Sequence, residues 1–221
     1  MTVNHHPSEE LLLDYASGAL SESWSLAVAT HLALCPDCRR IVAGAEAVGG
    51  GFMSGLPPVA CADGAFDAVM ARLTDDAGAA DVPAAVLPQG SASAIPILPE
   101  PLRGYIGADL AELPWQRLGR GAYQYLVRTD DGATARMLRI PSGRPVPEHT
   151  HRGQELTLVL RGAFTDATGH YAAGDFQEAD EDVMHQPHAA PGEDCICLAV
   201  TDAPLRFKSL AARVVQPFLG I

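Results

Sequence analysis

The chain has 221 residues, 48% of them hydrophobic, and a formal net charge of −12. No run approaches the ~18 uncharged apolar residues a membrane span needs. The opening Met-Thr-Val-Asn-His-His lacks the basic region and apolar core of a secretory signal, so a cytoplasmic protein of one large or two small domains is expected. The acidity is uneven: residues 1–90 carry 11 acidic side chains against three basic ones, a net of −8, and residues 91–221 carry 16 against 12, a net of −4. Nucleic acid phosphates repel so acidic an N-terminal part, which argues against direct DNA binding. A basic protein partner would be attracted and steered to it.

Residues 7–73 read as helical. Ser8 caps a helix over Glu9 to Ser17, with both glutamates in its first turn, and Gly18 stops it. Ser21 caps a second helix to about Leu34, with Trp24, Val28, His31 and Leu32 near one face. Pro36 opens a third, which is expected to fade at Gly49-Gly50-Gly51. The fourth runs from about Asp63 to Leu73, its apolar face being Phe66, Val69, Met70 and Leu73. Ala, Asp, Gly, Ser and five prolines then dominate residues 74–101, which read as a linker. From about residue 104 the period switches to two. Tyr123–Thr129 and Ala133–Ile140 flank the hairpin signal Asp130-Asp131-Gly132. Leu156–Phe164, a turn at Asp166–Gly169, Asp194–Thr201 and Leu205–Leu210 follow, suggesting a closed or double-sheet β architecture. The expected organisation is multidomain: an all-α module at 1–73, a Pro/Ala-rich linker at 74–101 and an all-β domain at 102–221.

Two constellations of metal-ligating residues stand in the two parts. His31 and Cys35 are four apart on one helix and share a face, and Cys38 follows across a Pro-Asp turn. Tetrahedral zinc wants a fourth ligand, which His5 or His6 supplies if the helices fold back. The Cys-x2-Cys spacing in a cytoplasmic chain indicates metal or redox chemistry, not a disulfide framework. Thiolate and imidazole donors favour Zn²⁺ over Mg²⁺ or Ca²⁺. By analogy with zinc fingers the ion would contribute on the order of 10 kcal/mol to folding. Oxidation of its thiolates is a second possible use of the site.

In the β part, His149-x-His151 places two imidazoles on one face of a strand. Glu155 can reach the same point, and His185 arrives from a later strand, with His188 as a less favoured substitute. Three histidines and a carboxylate suit Zn, Fe, Mn, Ni or Cu. Cys195 and Cys197 alternate with Ile196 and share a strand face. They read as buried core thiols, with a redox role open if that face borders the metal cavity. A disulfide between them would be strained, since their Cα atoms lie ~7 Å apart. His170 reads as solvated beside a turn, and Cys61 as a core or loop residue.

The run Gly143-x5-His149-x-His151-x3-Glu155-x6-Gly162 matches the first cupin motif without a gap. The second is partly kept: from Gly174, its usual Pro and Gly positions fall on Asp180 and Asp182, while His185 keeps the ligand position. Together with His31-x3-Cys35-x2-Cys38, the His5-His6 start, the run Ala29-Thr-His31-Leu-Ala-Leu-Cys35 and the tail Asp194-Cys-Ile-Cys-Leu-Ala-Val-Thr-Asp-Ala-Pro-Leu-Arg-Phe, nearly the whole chain resembles the ChrR family of zinc-dependent anti-sigma factors. The resemblance implies an all-α N-terminal zinc-binding helical bundle followed by an all-β cupin barrel. It implies a structural Zn²⁺ on His6, His31, Cys35 and Cys38, and a second metal on His149, His151, Glu155 and His185. That second metal is zinc by the family pattern, with iron, manganese or nickel as alternatives. The implied role is not enzymatic. The N-terminal domain binds an extracytoplasmic-function sigma factor one-to-one and keeps it from RNA polymerase and promoter DNA. The cupin domain serves its release under singlet oxygen or organic peroxide stress. A cupin metalloenzyme, of oxygenase or isomerase class with a helical zinc module for oligomerisation, is the alternative. The acidic zinc module favours the regulator, because an enzyme has no evident use for it.

Overall fold

The computed structural model describes residues 2–74, 98–119 and 121–208. Helix α1 spans Glu9–Ser17; the Ser8 hydroxyl accepts from the Leu11 amide at 3.3 Å, and Gly18 ends it at φ 72°. Helix α2 spans Glu22–Leu34, and α3 runs over Pro36–Ser54, straight through the glycine triplet where the sequence reading ended it. Each glycine costs about 1 kcal/mol relative to alanine. Ala45, Glu46, Ala47 and Met53 on either side carry the helix across, and the Ser54 hydroxyl donates back to the Gly50 carbonyl at 3.0 Å. Helix α4 spans Ala65–Thr74, and a fifth, α5, spans Glu100–Ile106. Residues 75–97 of the expected linker lie outside the described residues; its end, from Leu98, is built into the fold, with Leu98 fully buried. No helix among the described residues is long and apolar enough to cross a membrane.

The chain divides into two compact units, one of Met1–Gly49 with Pro96–Ile221 and the other of Gly50–Ile95. These divisions differ from the segment boundaries read at 73/74 and 101/102. In the second unit α4 exposes Phe66, Val69 and Leu73, at helical spacing along one face.

Among the described residues of the first unit the strands form three antiparallel sheets. Six strands lie in the order β1 (Gln116–Leu118), β2 (Ala122–Val127), β3 (Thr134–Ile140), β10 (Cys195–Thr201), β5 (Glu155–Arg161) and β8 (Phe176–Ala179). Strands β7 (His170–Ala172), β6 (Ala163–Thr165) and β9 (His188–Ala189) form a second sheet, and β11 (Arg206–Phe207) pairs β4 (His149–Thr150). The fold is thus helical at its N-terminus and cupin-like in its sheets; among the described residues no sheet closes on itself. Of the predicted strand Leu205–Leu210, Arg206–Phe207 is strand, and residues beyond 208 lie outside the described ones.

The six-stranded sheet is covered on both faces. Its inner face shares a core with the second sheet through Ile140, Val159, Cys195, Phe164, Tyr171 and Ala189. Its outer face presents Leu156, Leu158 and Leu160 from β5 and Ile196, Leu198 and Val200 from β10. These pack into one core with Leu12, Trp24, Val28 and Leu32 of α1 and α2 and with Leu102 and Ile106 of α5. Burying each such aliphatic side chain contributes roughly 1.5–3 kcal/mol. The sheet therefore holds α1, α2 and the start of α3 as its own third layer. Polar clasps fix the register. The Asp131 carboxylate accepts the Ser23 amide and hydroxyl at 2.8 and 2.6 Å, acting as a cap on α2 supplied by the β2–β3 hairpin.

Candidate metal centres

The first centre sits where the N-terminal segment, α2 and α3 meet. His31 and Cys35 project from the end of α2, and Cys38 from the first turn of α3. Of the two candidate N-terminal histidines, His6 joins them: its Nδ1 lies 3.4 Å from Cys35 Sγ and 3.3 Å from Cys38 Sγ. His31 Nε2 lies 3.3 Å from Cys38 Sγ. One donor atom from each of His6, His31, Cys35 and Cys38 lies within 4.8 Å of the others, so the group can hold a metal ion. His5 goes elsewhere. Its ring meets that of Tyr171 at a tilt of 41°, and its Nδ1 sits 3.3 Å from the buried Asp175 carboxylate.

A backbone carbonyl sets the tautomer of His31. The Gly174 carbonyl can only accept, so His31 Nδ1 donates to it across 3.1 Å, and Nε2 offers its lone pair to the thiols. Burial, and then the neighbouring His6, lower the His31 pKa to about 4. Burial and the adjacent Cys35 push the Cys38 thiol up to about 12. A neutral imidazole beside a buried Cys38 thiol that cannot ionise unaided is part of a donor set that a cation completes.

The second centre lies between the sheets. Backbone bonds of 3.0 Å in both directions pair His149 with His185, so that their rings stand side by side. His185 thus comes from a bridged loop rather than from one of the strands. His149 Nδ1 donates to the Pro147 carbonyl at 2.8 Å, and His185 Nδ1 donates to the Asp166 carboxylate at 2.8 Å. Both rings therefore turn bare Nε2 lone pairs toward each other at 3.1 Å, and His151 Nε2 approaches His185 Nε2 to 3.3 Å. Glu155 Oε2 stands 3.1 Å from His151 Nδ1 without hydrogen-bond geometry, and both atoms are buried without a hydrogen-bond partner. Converging lone pairs and an orphaned carboxylate oxygen fit a bound cation. The four donors again lie within 4.8 Å of one another. Burial depresses His149 to about 4 and His151 to about 3, and raises the Glu155 carboxyl to about 7.

Gly143 and Gly162, which bracket this motif, take positive φ of 70° and 68°. His188 lies outside the centre, exposed on β9 with its ring bonded to the Gln186 carbonyl. His170 is exposed beside Thr165, and Cys61 is an exposed loop residue. Cys195 and Cys197 are both buried on the inner face of β10. The Cys195 hydrogen bond, burial and the nearby Glu155 all raise the Cys197 thiol well above its ordinary value, keeping it protonated.

Asp166 and Gln177 are functional neighbours that the sequence reading missed. Asp166 splits its two oxygens: Oδ1 takes the Thr168 and Gly169 amides in a turn, and Oδ2 takes His185 and the Gln177 amide. Burial works to raise its pKa, but bonds from Thr168, Gln177 and His185 outweigh this and hold it lower. A turn was legible at Asp166; its second oxygen's partner was not.

A helical layer with one donor cluster, laid on cupin-like sheets with another, defines a two-part protein with two clusters able to hold a metal. Residues 104–204 match the family model of the ChrR Cupin-like domain. The chain is 47% identical, over 221 residues that cover all of both sequences, to the Anti-sigma-E factor ChrR of Cereibacter sphaeroides. It therefore belongs to the ChrR family. A chain in the crystal structure of Rhodobacter sphaeroides SigE in complex with the anti-sigma ChrR superposes with a TM-score of 0.79 and 45% identity, covering 91% of this chain and 100% of that one.

Proposed function

We propose that the protein is a zinc-dependent anti-sigma factor of the cytoplasm, which binds an extracytoplasmic-function sigma factor one-to-one and releases it under singlet oxygen or organic peroxide stress. The carrying observation is its 47% identity, along the whole length, to an anti-sigma factor. The surface agrees. Phe66, Val69 and Leu73 on α4 are exposed at helical spacing, as are Val48 and Phe52 on α3. Residues 1–90 carry a net charge of −8, suited to the basic surfaces with which a sigma factor meets polymerase and DNA. Occluding those surfaces needs binding and no turnover, so no residue is given a catalytic role.

In this reading His6, His31, Cys35 and Cys38 hold a structural Zn²⁺. His149, His151, Glu155 and His185 hold a second ion, by family pattern also zinc, with iron, manganese or nickel as alternatives, inside what acts as a cupin barrel. The thiolate-rich donor set suits a closed structural site, and the histidine–carboxylate set suits one open to a further ligand. The expected domain roles are inhibition by residues 1–73 and sensing by 102–221. Co-purification of the full chain from its native cell, with metal analysis, tests the reading. A one-to-one complex with a basic sigma factor and two equivalents of metal is expected. Recovery without any sigma factor, together with turnover of a small molecule, would sink it.

A further inference from the structure

Strand β8 and the turn before it touch the outer shells of both centres. On one side the Gly174 carbonyl holds the His31 ring, and the Phe176 ring meets it edge-on at 5.5 Å. Asp175, fully buried, takes the Asn4 and His5 amides at 2.7 and 3.1 Å, while the Phe176 amide donates to the His5 carbonyl at 3.0 Å. The residue next to His5 is His6. On the other face, the Gln177 amide donates to Asp166 Oδ2 at 2.9 Å and to Thr168 Oγ1 at 2.8 Å. Asp166 in turn orients His185. Only two residues separate Gly174 from Gln177, and the side chains of His31, Asp175, Phe176, Gln177, Asp166 and His185 are buried.

We infer that β8 couples the two centres, so that occupancy of the histidine–carboxylate cluster tightens the thiolate cluster through Asp166, Gln177 and the Gly174 carbonyl. The inference rests on the reading that both clusters hold metal. A cation on His185 Nε2 makes its Nδ1–H a stronger donor and tightens the bond to Asp166. Asp166 then fixes Gln177, and with it the strand whose backbone places His31 and His6. Reciprocity follows, because a coupling free energy acts equally on both sites. Asp166 and Gln177 are positioning residues in this scheme, not ligands.

Cobalt distinguishes the sites, since only the helical cluster has thiolate donors and hence a sulfur-to-cobalt charge-transfer band. In the full chain loaded with Co²⁺, the decay of that band after adding excess chelator reports loss from the helical cluster alone. His151→Ala empties the second centre without touching β8. It is expected to speed the decay by about fivefold or more. In a Gln177→Ala background the same change should alter the rate by less than about twofold. Asp166→Asn, nearly isosteric, serves the same test if Gln177→Ala does not fold. A decay rate indifferent to His151→Ala, or an effect undiminished by Gln177→Ala, overturns the coupling while leaving both metal sites standing. Absence of the charge-transfer band would instead overturn the metal reading itself, and the coupling with it.

Discussion

Histidine in an unfolded chain titrates near 6.5, whereas burial holds His149 to about 4 and His151 to about 3. Their contribution to stability is therefore present above pH 6.5 and is lost as the pH falls toward 4. Glu155 has the opposite sign. Its carboxyl is raised from 4.5 to about 7, so its contribution is present below 4.5 and lost as the pH rises through 7. Between pH 6 and pH 8 the histidines regain their share while Glu155 loses its own, so the Glu155 effect is read against Glu155→Gln: the metal-free chain should lose melting temperature relative to that variant on going from pH 6 to pH 8. Bound metal should remove that loss, because a cation compensates the ionised carboxylate. Thermal melts of both chains at the two pH values, with and without chelator, check this; a metal-free difference between them that does not change across pH 7 contradicts it. At this scale the grouping of candidate donors was legible because local backbone geometry sets it: one helical turn joins His31 to Cys35, and a two-residue repeat joins His149 to His151. The choice of His6 over His5 depends on where β8 receives the N-terminal segment, and Asp166 meets His185 across 19 residues. Neither contact has a local signature.

Helices α1 and α2, and the strands β2, β3, β5 and β10, follow from capping residues and periodicity that the chain states openly. The layering of helices on the sheet was less visible, yet one strand hinted at it. Six of the seven residues of β10 are buried, and its run Cys195-Ile-Cys-Leu-Ala-Val200 is apolar at every position. A strand with one wet face would alternate. The outer half of that run marks a sheet face that needed cover. Turns at the two motif glycines give a quantitative test. Both Gly143 and Gly162 have φ near 70°, so alanine at either incurs left-handed strain of about 1–2 kcal/mol. At Gly143 an added Cβ meets open space, whereas at Gly162 it would sit 2.5 Å from the Asp194 carbonyl oxygen. Gly162→Ala should therefore be clearly the more destabilising of the pair in urea unfolding. Equal losses would place the cost in backbone conformation alone.

For the molecule as a whole, exposed apolar side chains on an acidic module set partner binding apart from folding. Phe66 is 75% and Leu73 74% exposed. Phe66→Glu and Leu73→Glu should each weaken sigma factor binding by about tenfold or more, as loss of a buried interface anchor does. Their melting temperature and metal content should stay unchanged. Binding that survives both substitutions would move the interface off α4. The overall plan, helices followed by sheets with a donor cluster in each, was readable from composition and spacing. The division into compact units was not, because it depends on which apolar faces find each other in three dimensions.

Strand β8 is the last strand of the six-stranded sheet, and its open side is met by the backbone of His5. An uncovered sheet edge is a template for pairing with another chain. Residues 4–8 therefore also cover a pairing edge, so that a chain trimmed through them stands to lose solubility together with the His6 donor of the first cluster.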